Sequence, residues 1–355
     1  MYAFVKQRRE PKAELTTVDE PKIGANEVLV EVKMASICGT DVHIWEYDKW
    51  AQNRLQNIPF IFGHEVAGKV IEIGSDVTSV QVGDMVSAET HIADNTCYQC
   101  KTDRKHICQN MEILGVDRDG VFAEYVALPE ENAWINDPTL PLAVASVQEP
   151  LGNAVQTALP RNNVEDIAGK TIAILGCGPI GLFSIAVAKK LGAAQVLAVA
   201  GGANKVRMNL AEKMGADLTL SAREEGTNVV KTIVDATNGI GVDVVFEMSG
   251  AITALPQAFD MLTPGGRVGL LGIFSHPFEF DANKMVFTAS TIFGISGRRM
   301  FQTWFQTKSF LKDPSFRKKV EAVITHQISI RDIAKGFELI EAKQAAKVVL
   351  EPKWE

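Results

Sequence analysis

The chain has 355 residues, 46% hydrophobic and 22% charged, with a formal net charge of -7. This length is more than one ordinary core needs, so two domains are the default, and the composition is that of a globular protein. The acidic balance disfavours nucleic acid or an anionic membrane as the main partner, since both need a basic face. Five cysteines, an odd number with three clustered, argue against a secreted disulfide framework and for a reducing, cytoplasmic compartment. The opening MYAFVKQRREPKAEL has no apolar core of a signal peptide.

In chain order, VLVEVKMASI (28–37), GKVIEIG (68–74) and DMVSAE (84–89) are predicted strands, separated by Gly, Asp and Ser turns. The first part of the chain, to about residue 152, therefore reads as β-rich. From residue 153 the pattern changes to alternation. KTIAILG (170–176) is a predicted strand, PIGLFSIAVAKKLG (179–192) a helix, QVLAVA (195–200) a strand and NKVRMNLAEKMG (204–215) a helix. The alternation continues through DLTL, NVVKTIVDATN, VDVVFEMSG, LPQAFDML and GRVGLLGIF, to about residue 290. Such a pattern predicts a parallel sheet with helices on both faces, so the fold class is α/β. After residue 290 the chain reads as irregular and helical, ending in the strand-like AKVVLEPKW. The uncharged run Thr171 to Ala188 is nearly long enough to span a bilayer. Gly176, Gly178, Pro179 and Gly181 interrupt it, and a strand followed by a helix explains it better.

Gly176-Cys177-Gly178-Pro179-Ile180-Gly181 is a GxGxxG that follows a strand and opens a helix, the context that gives this motif meaning. Gly176 is expected to make the tight turn, Gly178 to admit a pyrophosphate and Gly181 to let helix and strand pack. The helix N-terminus would stabilise the phosphate charge. Cys177 reads as a small packing residue. The second strand ends in Ala200, where an NAD-binding chain has an acid for the ribose hydroxyl. The loop GGAN is neutral, and Lys205 and Arg207 follow. That pattern leans toward NADP or dual use, unless both basic residues are solvated helix surface.

DNTCYQCKTDRKHIC (94–108) holds three cysteines at metal-binding spacing. Three thiolates leave one corner of a zinc tetrahedron empty, so the site is either an open catalytic one or has a fourth ligand in the stretch. Upstream, Cys38-Gly39-Thr40-Asp41-Val42-His43 and Gly63-His64-Glu65 supply the Cys, His and carboxylate of a catalytic zinc.

The run GHEVAGKVIEIGSDVTSVQVGD (63–84) resembles the signature of the zinc-dependent medium-chain alcohol dehydrogenases, with Gly63-His64-Glu65, Gly68, Gly74, Val77 and Gly83-Asp84 in its spacing. The resemblance covers essentially the whole chain. Within the family, CGTDVHIWEYDKWAQ (38–52), His91-Ile92, EPLGNAVQTAL (149–159), SGRRMFQTW (296–304) and ITHQISI (324–330) are similar to the branch that oxidises L-threonine. The resemblance implies a GroES-like β-rich catalytic domain over 1–152, to which 291–355 returns. It implies a Rossmann doubly wound cofactor domain over 153–290, with the active site in the cleft between the two.

It also implies a catalytic zinc on Cys38, His64 and Glu65, with Glu149 as an exchangeable fourth ligand. Thr40 and His43 resemble the family's proton relay, although His43 also fits a surface loop. His91 would orient the substrate, and Arg298 or Arg299 would pair with a carboxylate or a cofactor phosphate, a solvated loop being the alternative. Family members carry four cysteines in the lobe; here Asp94 stands at the first position. Asp94, Cys97, Cys100 and Cys108 then read as a closed structural zinc site, against the alternative of a degenerate one. The expected partners are a nicotinamide cofactor (NAD or NADP), a small alcohol or amino-alcohol substrate and further copies of the chain as a homotetramer, with no nucleic acid and no membrane. A polyol, vicinal-diol or secondary-alcohol dehydrogenase is the alternative enzyme. A nucleotide-binding protein without catalysis is the alternative outside enzymes.

Overall fold

The computed structural model describes residues 1–202, 205–274, 276–277 and 279–354. Asn204 and Ala203 of the GGAN loop lie outside the described residues. The chain divides into two compact units, Met1–Glu149 with Ile324–Glu355, and Pro150–Val323.

The first unit is built on a mixed sheet. Its order is Ala133–Ile135, Met85–Ala88, Glu65–Ile73, Glu27–Ser36, Lys347–Glu351, Ile324–Ser329, with Tyr125–Pro129 also pairing to Glu27–Ser36. Strand Glu27–Ser36 is largely buried, with its charged residues Glu27, Glu31 and Lys33 at the partly exposed positions, which suits a strand paired along most of its length. A second small sheet joins Glu14–Thr17, Tyr2–Lys6 and Phe60–Ile61. The core of this unit packs Val28, Val30, Phe62, Phe122, Leu128, Phe337 and Val348 together. Two antiparallel pairs matter most for chemistry. Ser36 lies opposite Glu65, and Val349 lies opposite Ser36, so the C-terminal strand is delivered to the edge that bears Cys38 and Glu65.

The second unit holds a parallel sheet of six strands among the described residues. Its order is Leu218–Ser221, Gln195–Ala200, Thr171–Leu175, Val242–Glu247, Leu262–Leu270, Thr291–Gly294. Order reverses between Thr171–Leu175 and Val242–Glu247, the switch point at which such sheets open a crevice for ligands at the carboxyl ends of their strands. The run Thr171–Ala188 is a strand followed by the helix Pro179–Lys190. No helix among the described residues is long and apolar enough to cross a membrane.

One boundary differs from the sequence expectation. The return to the first unit begins at Ile324, not near residue 291. Thr291–Gly294 pairs in parallel with Leu262–Leu270 as the sixth strand. The helices Gln302–Leu311 and Pro314–Val323 remain with the second unit.

Candidate active site and metal centres

Cys38 ends the strand Glu27–Ser36 region and caps the helix Gly39–Glu46. Asp41, in the first turn, reaches back to accept the Cys38 N–H at 2.8 Å. Its other oxygen faces His64 Nδ1 at 3.4 Å. One fully buried carboxylate thus fixes two neighbouring donors, as outer carboxylates do for metal-bound histidines. The donor atoms of Cys38, His64 and Glu65 all lie within 4.8 Å of one another.

Glu65 is buried, and its two oxygens have different surroundings. Oε2 accepts from the Ser36 hydroxyl and pairs with the Lys347 ammonium, which also donates to Ile37 O at 2.8 Å. Oε1 has no hydrogen-bond partner. A buried carboxylate oxygen without a donor is costly, and a cation bound by Cys38 and His64 would satisfy it. Charges in the pocket agree. Burial favours a neutral His64, yet Asp41 and Cys38 hold its pKa well above the ordinary histidine value. Burial raises the Glu65 pKa, Lys347 opposes, and Glu149 adds to the rise. The set is electron-rich and convergent, and it fits zinc.

Glu149 stands in the first turn of the helix Gln148–Ala158 and is buried. Its charge is felt at Glu65 and Lys347. It lies outside the compact donor set, which comprises Cys38, His64 and Glu65 alone. Thr40 Oγ1 lies 4.0 Å from Cys38 Sγ. His43 is exposed, with Nδ1 2.6 Å from Asp48 Oδ2 and its ring 5.5 Å from that of Trp50. His91 begins the short strand His91–Ile92. Its N–H donates to Glu89 Oε1 at 2.9 Å, and its Nδ1 lies 4.0 Å from the same oxygen.

Lys347 carries no sequence motif, and Asp41 stands in the Cys38–His43 run without a role of its own being legible there. Lys347 is the one charge inside the otherwise apolar run AAKVVL, and that inward position was the available signal.

The second donor group is the lobe of Asp94, Cys97, Cys100 and Cys108, again with ligand atoms within 4.8 Å of one another. Cys97 Sγ lies 3.4 Å from Cys100 Sγ and 3.8 Å from Cys108 Sγ, and Cys100 Sγ lies 3.3 Å from Asp94 Oδ1. Backbone N–H groups of Asp94 and Asn110 donate to Cys108 Sγ at 3.4 and 3.3 Å. Asn110, Thr96 and Cys97 donate to Asp94 and hold its carboxyl far below the usual range. Burial, then the neighbouring Cys97 and Cys108, push Cys100 up to about 12. Aspartate occupies the position of a fourth thiolate, and the donor set suits a closed structural zinc.

At the carboxyl end of Thr171–Leu175, Gly176 turns with φ of 112°. A Cβ on Gly181 would sit 1.9 Å from Gly176 O, so the helix approaches the turn as closely as the motif requires. A Cβ on Gly178 would meet nothing within 4 Å. The N-terminus of Pro179–Lys190 thus opens onto space, flanked by Pro179 and Ile180, as a pyrophosphate cradle needs. Cys177 is buried, and burial pushes its thiol up to about 12, consistent with packing.

Ala200 is buried at the end of Gln195–Ala200. The two basic residues differ. Lys205 is exposed, whereas Arg207 is partly buried and its charge is felt at Cys177 inside the motif. Arg298 is not part of a solvated loop. It is fully buried, with Nη1 3.2 Å from Asn153 Oδ1 and its guanidinium 5.8 Å from the Trp304 ring. It is engaged inside its own unit, and only Arg299 of the pair is partly exposed.

Comparison with known proteins agrees with this geometry. Residues 24–137 match the alcohol dehydrogenase GroES-like domain, and residues 179–313 match the zinc-binding dehydrogenase domain. The L-threonine 3-dehydrogenase of Bacillus licheniformis is 46% identical over 353 residues, covering 99% of both chains. An alcohol dehydrogenase of Escherichia coli CFT073, solved with NADH, superposes with a TM-score of 0.87 at 25% identity over 99% of both chains. A zinc-binding dehydrogenase of Sinorhizobium meliloti 1021, solved with NADP, superposes with a TM-score of 0.86 at 27% identity, again over 99% of both. With its two zinc-donor sets, its GxGxxG turn and these matches, the chain belongs to the zinc-dependent medium-chain alcohol dehydrogenases.

Proposed function

We propose that the protein oxidises the 3-hydroxyl of L-threonine, transferring hydride to a nicotinamide cofactor and giving 2-amino-3-oxobutanoate. The observation that carries this reading is 46% identity to an L-threonine 3-dehydrogenase over 99% of the chain, joined to a donor set of partly buried Cys38 and buried His64 and Glu65. Zinc, when bound there, lowers the pKa of a coordinated hydroxyl from about 16 toward about 7.

The chain's own residues supply the rest. Cys38, His64 and Glu65 would hold the ion, and Asp41 and Lys347 hold these ligands in place. Glu149, buried in the first turn of Gln148–Ala158, would supply a fourth, exchangeable ligand. Its position outside the tight set suits an exchangeable role. The Thr40 hydroxyl, near Cys38, takes the substrate proton and passes it toward exposed His43, which is hydrogen-bonded to Asp48. His91, tied to Glu89, orients the amino acid. Asp94, Cys97, Cys100 and Cys108 hold the structural zinc.

For the cofactor, the missing carboxylate at Ala200 and the basic Arg207 favour NADP, with NAD also accepted. A homotetramer in the cytoplasm is the assembly and place we propose, by family resemblance.

The test is a substrate panel on the zinc-loaded enzyme: L-threonine against 2,3-butanediol and sorbitol, each with NAD and NADP. Selective turnover of L-threonine is expected. Turnover of the diols alone would move the protein to the diol or polyol branch and remove the role given to His91.

A further inference from the structure

We propose that a cavity at the amino end of the parallel sheet is a binding site for a small oxyanion, a phosphate or a carboxylate, built around Arg267. The cavity is about 560 Å³, and Arg161, Asn163, Lys170, Gly265, Gly266 and Arg267 contribute to its wall. Arg267 lies in Leu262–Leu270, opposite Val244 on one neighbour and Thr291 on the other. It is 6% exposed. Its guanidinium carbon sits 5.9 Å from the Phe246 ring and 5.7 Å from the Phe293 ring.

Nη2 donates to Ala158 O at 2.7 Å, the last carbonyl of the helix Gln148–Ala158. That contact caps the helix and accounts for one nitrogen. Nε and Nη1 are buried and have no hydrogen-bond partner. Arginine stays charged in proteins and carries five N–H donors. A buried cation with unmet donors is costly, and its persistence calls for a ligand.

The other charges around the cavity do not supply one. Asp166 pairs with Arg161 at 2.8 Å. Asp243 lies 3.8 Å from Lys170 and accepts the Thr171 N–H at 2.8 Å. Glu165, the third acid on the wall, is exposed. Burial pulls the Arg267 pKa down to about 10, with Asp166 opposing only in part, as expected for a cation short of a counter-charge. Water would satisfy the donors but not the charge. An oxyanion satisfies both, since guanidinium matches carboxylate and phosphate geometry.

The site is separate from the dinucleotide cradle. Lys170 precedes the strand Thr171–Leu175, whereas Gly176 follows it, so the two lie at opposite ends of the same strand.

The test uses the full-length, zinc-loaded enzyme with saturating cofactor, which fills the dinucleotide site. Inorganic phosphate, acetate and chloride are titrated at constant ionic strength, and binding is read by calorimetry and by the midpoint of thermal unfolding. Saturable binding of phosphate or of acetate, but not chloride, is expected, and the arm that responds identifies the ligand class. Arg267→Met should weaken it at least tenfold. Arg161→Ala with Lys170→Ala, both at half-exposed positions, keeps the proposal testable if Arg267→Met does not fold, and should weaken binding several-fold. No saturable binding by either anion, or binding undiminished in every folded variant, would overturn the proposal.

Discussion

Asp94 brings one carboxylate to the three thiols of Cys97, Cys100 and Cys108. Asn110, Thr96 and Cys97 donate to its oxygens, which fixes the carboxylate and holds it far below the usual carboxyl range. Asp94→Ala should lower the zinc content from about two per chain toward one, and lower thermal stability, because metal binding is folding free energy in such lobes. Activity per folded molecule should persist. Elemental analysis against unfolding curves checks this, and an unchanged metal count would remove Asp94 from the ligand set.

Ala200 is the second informative residue. Ala200→Asp restores a partner for the ribose hydroxyl and repels a 2′-phosphate. Preference, read as the ratio of kcat/KM for the two cofactors, should move toward NAD by about tenfold, roughly 1.4 kcal/mol. No movement would mean that this position does not read the phosphate.

At the scale of single residues, sequence could find the donors but not what holds them. Cys38, His64 and Glu65 were legible through their motif. Lys347 was not, because its partner Glu65 is far away in the chain and meets it only through the pairing around Glu27–Ser36.

Among the elements, the strand–turn–helix at Thr171–Lys190 is the clearest case of local sequence dictating function. The GxGxxG glycines do different things, and the geometry separates them. Gly181→Ala would drive a methyl against Gly176 O. The expected result is a destabilised protein, by about 1–3 kcal/mol as for other overpacking, with cofactor affinity lost as well. Gly178→Ala projects into open space, so stability should be kept while the cofactor KM rises about tenfold, equivalent to roughly 1.4 kcal/mol. Equal unfolding midpoints for the two variants would contradict this division.

The alternating Rossmann elements were legible because strand and helix periods differ strongly along the chain. The strand Thr291–Gly294 was not. It has four residues and is only partly buried, too short for a period to show, and its place comes from pairing with Leu262–Leu270. Missing it moved the expected return point from 324 to near 291.

For the molecule as a whole, the two units divide the chemistry. The unit of Met1–Glu149 and Ile324–Glu355 carries both donor sets. The unit of Pro150–Val323 carries the dinucleotide turn and the cavity at Arg267. A substitution in one donor set should therefore spare binding in the other unit. The most direct measurement compares the wild type with Cys38→Ser, both zinc-treated, for L-threonine-dependent reduction of the nicotinamide and for cofactor binding by fluorescence. Turnover at background with cofactor affinity within about twofold of wild type, under roughly 0.5 kcal/mol, is the expected result. Retained turnover of L-threonine by Cys38→Ser would contradict the assignment of Cys38, His64 and Glu65 as the catalytic metal centre.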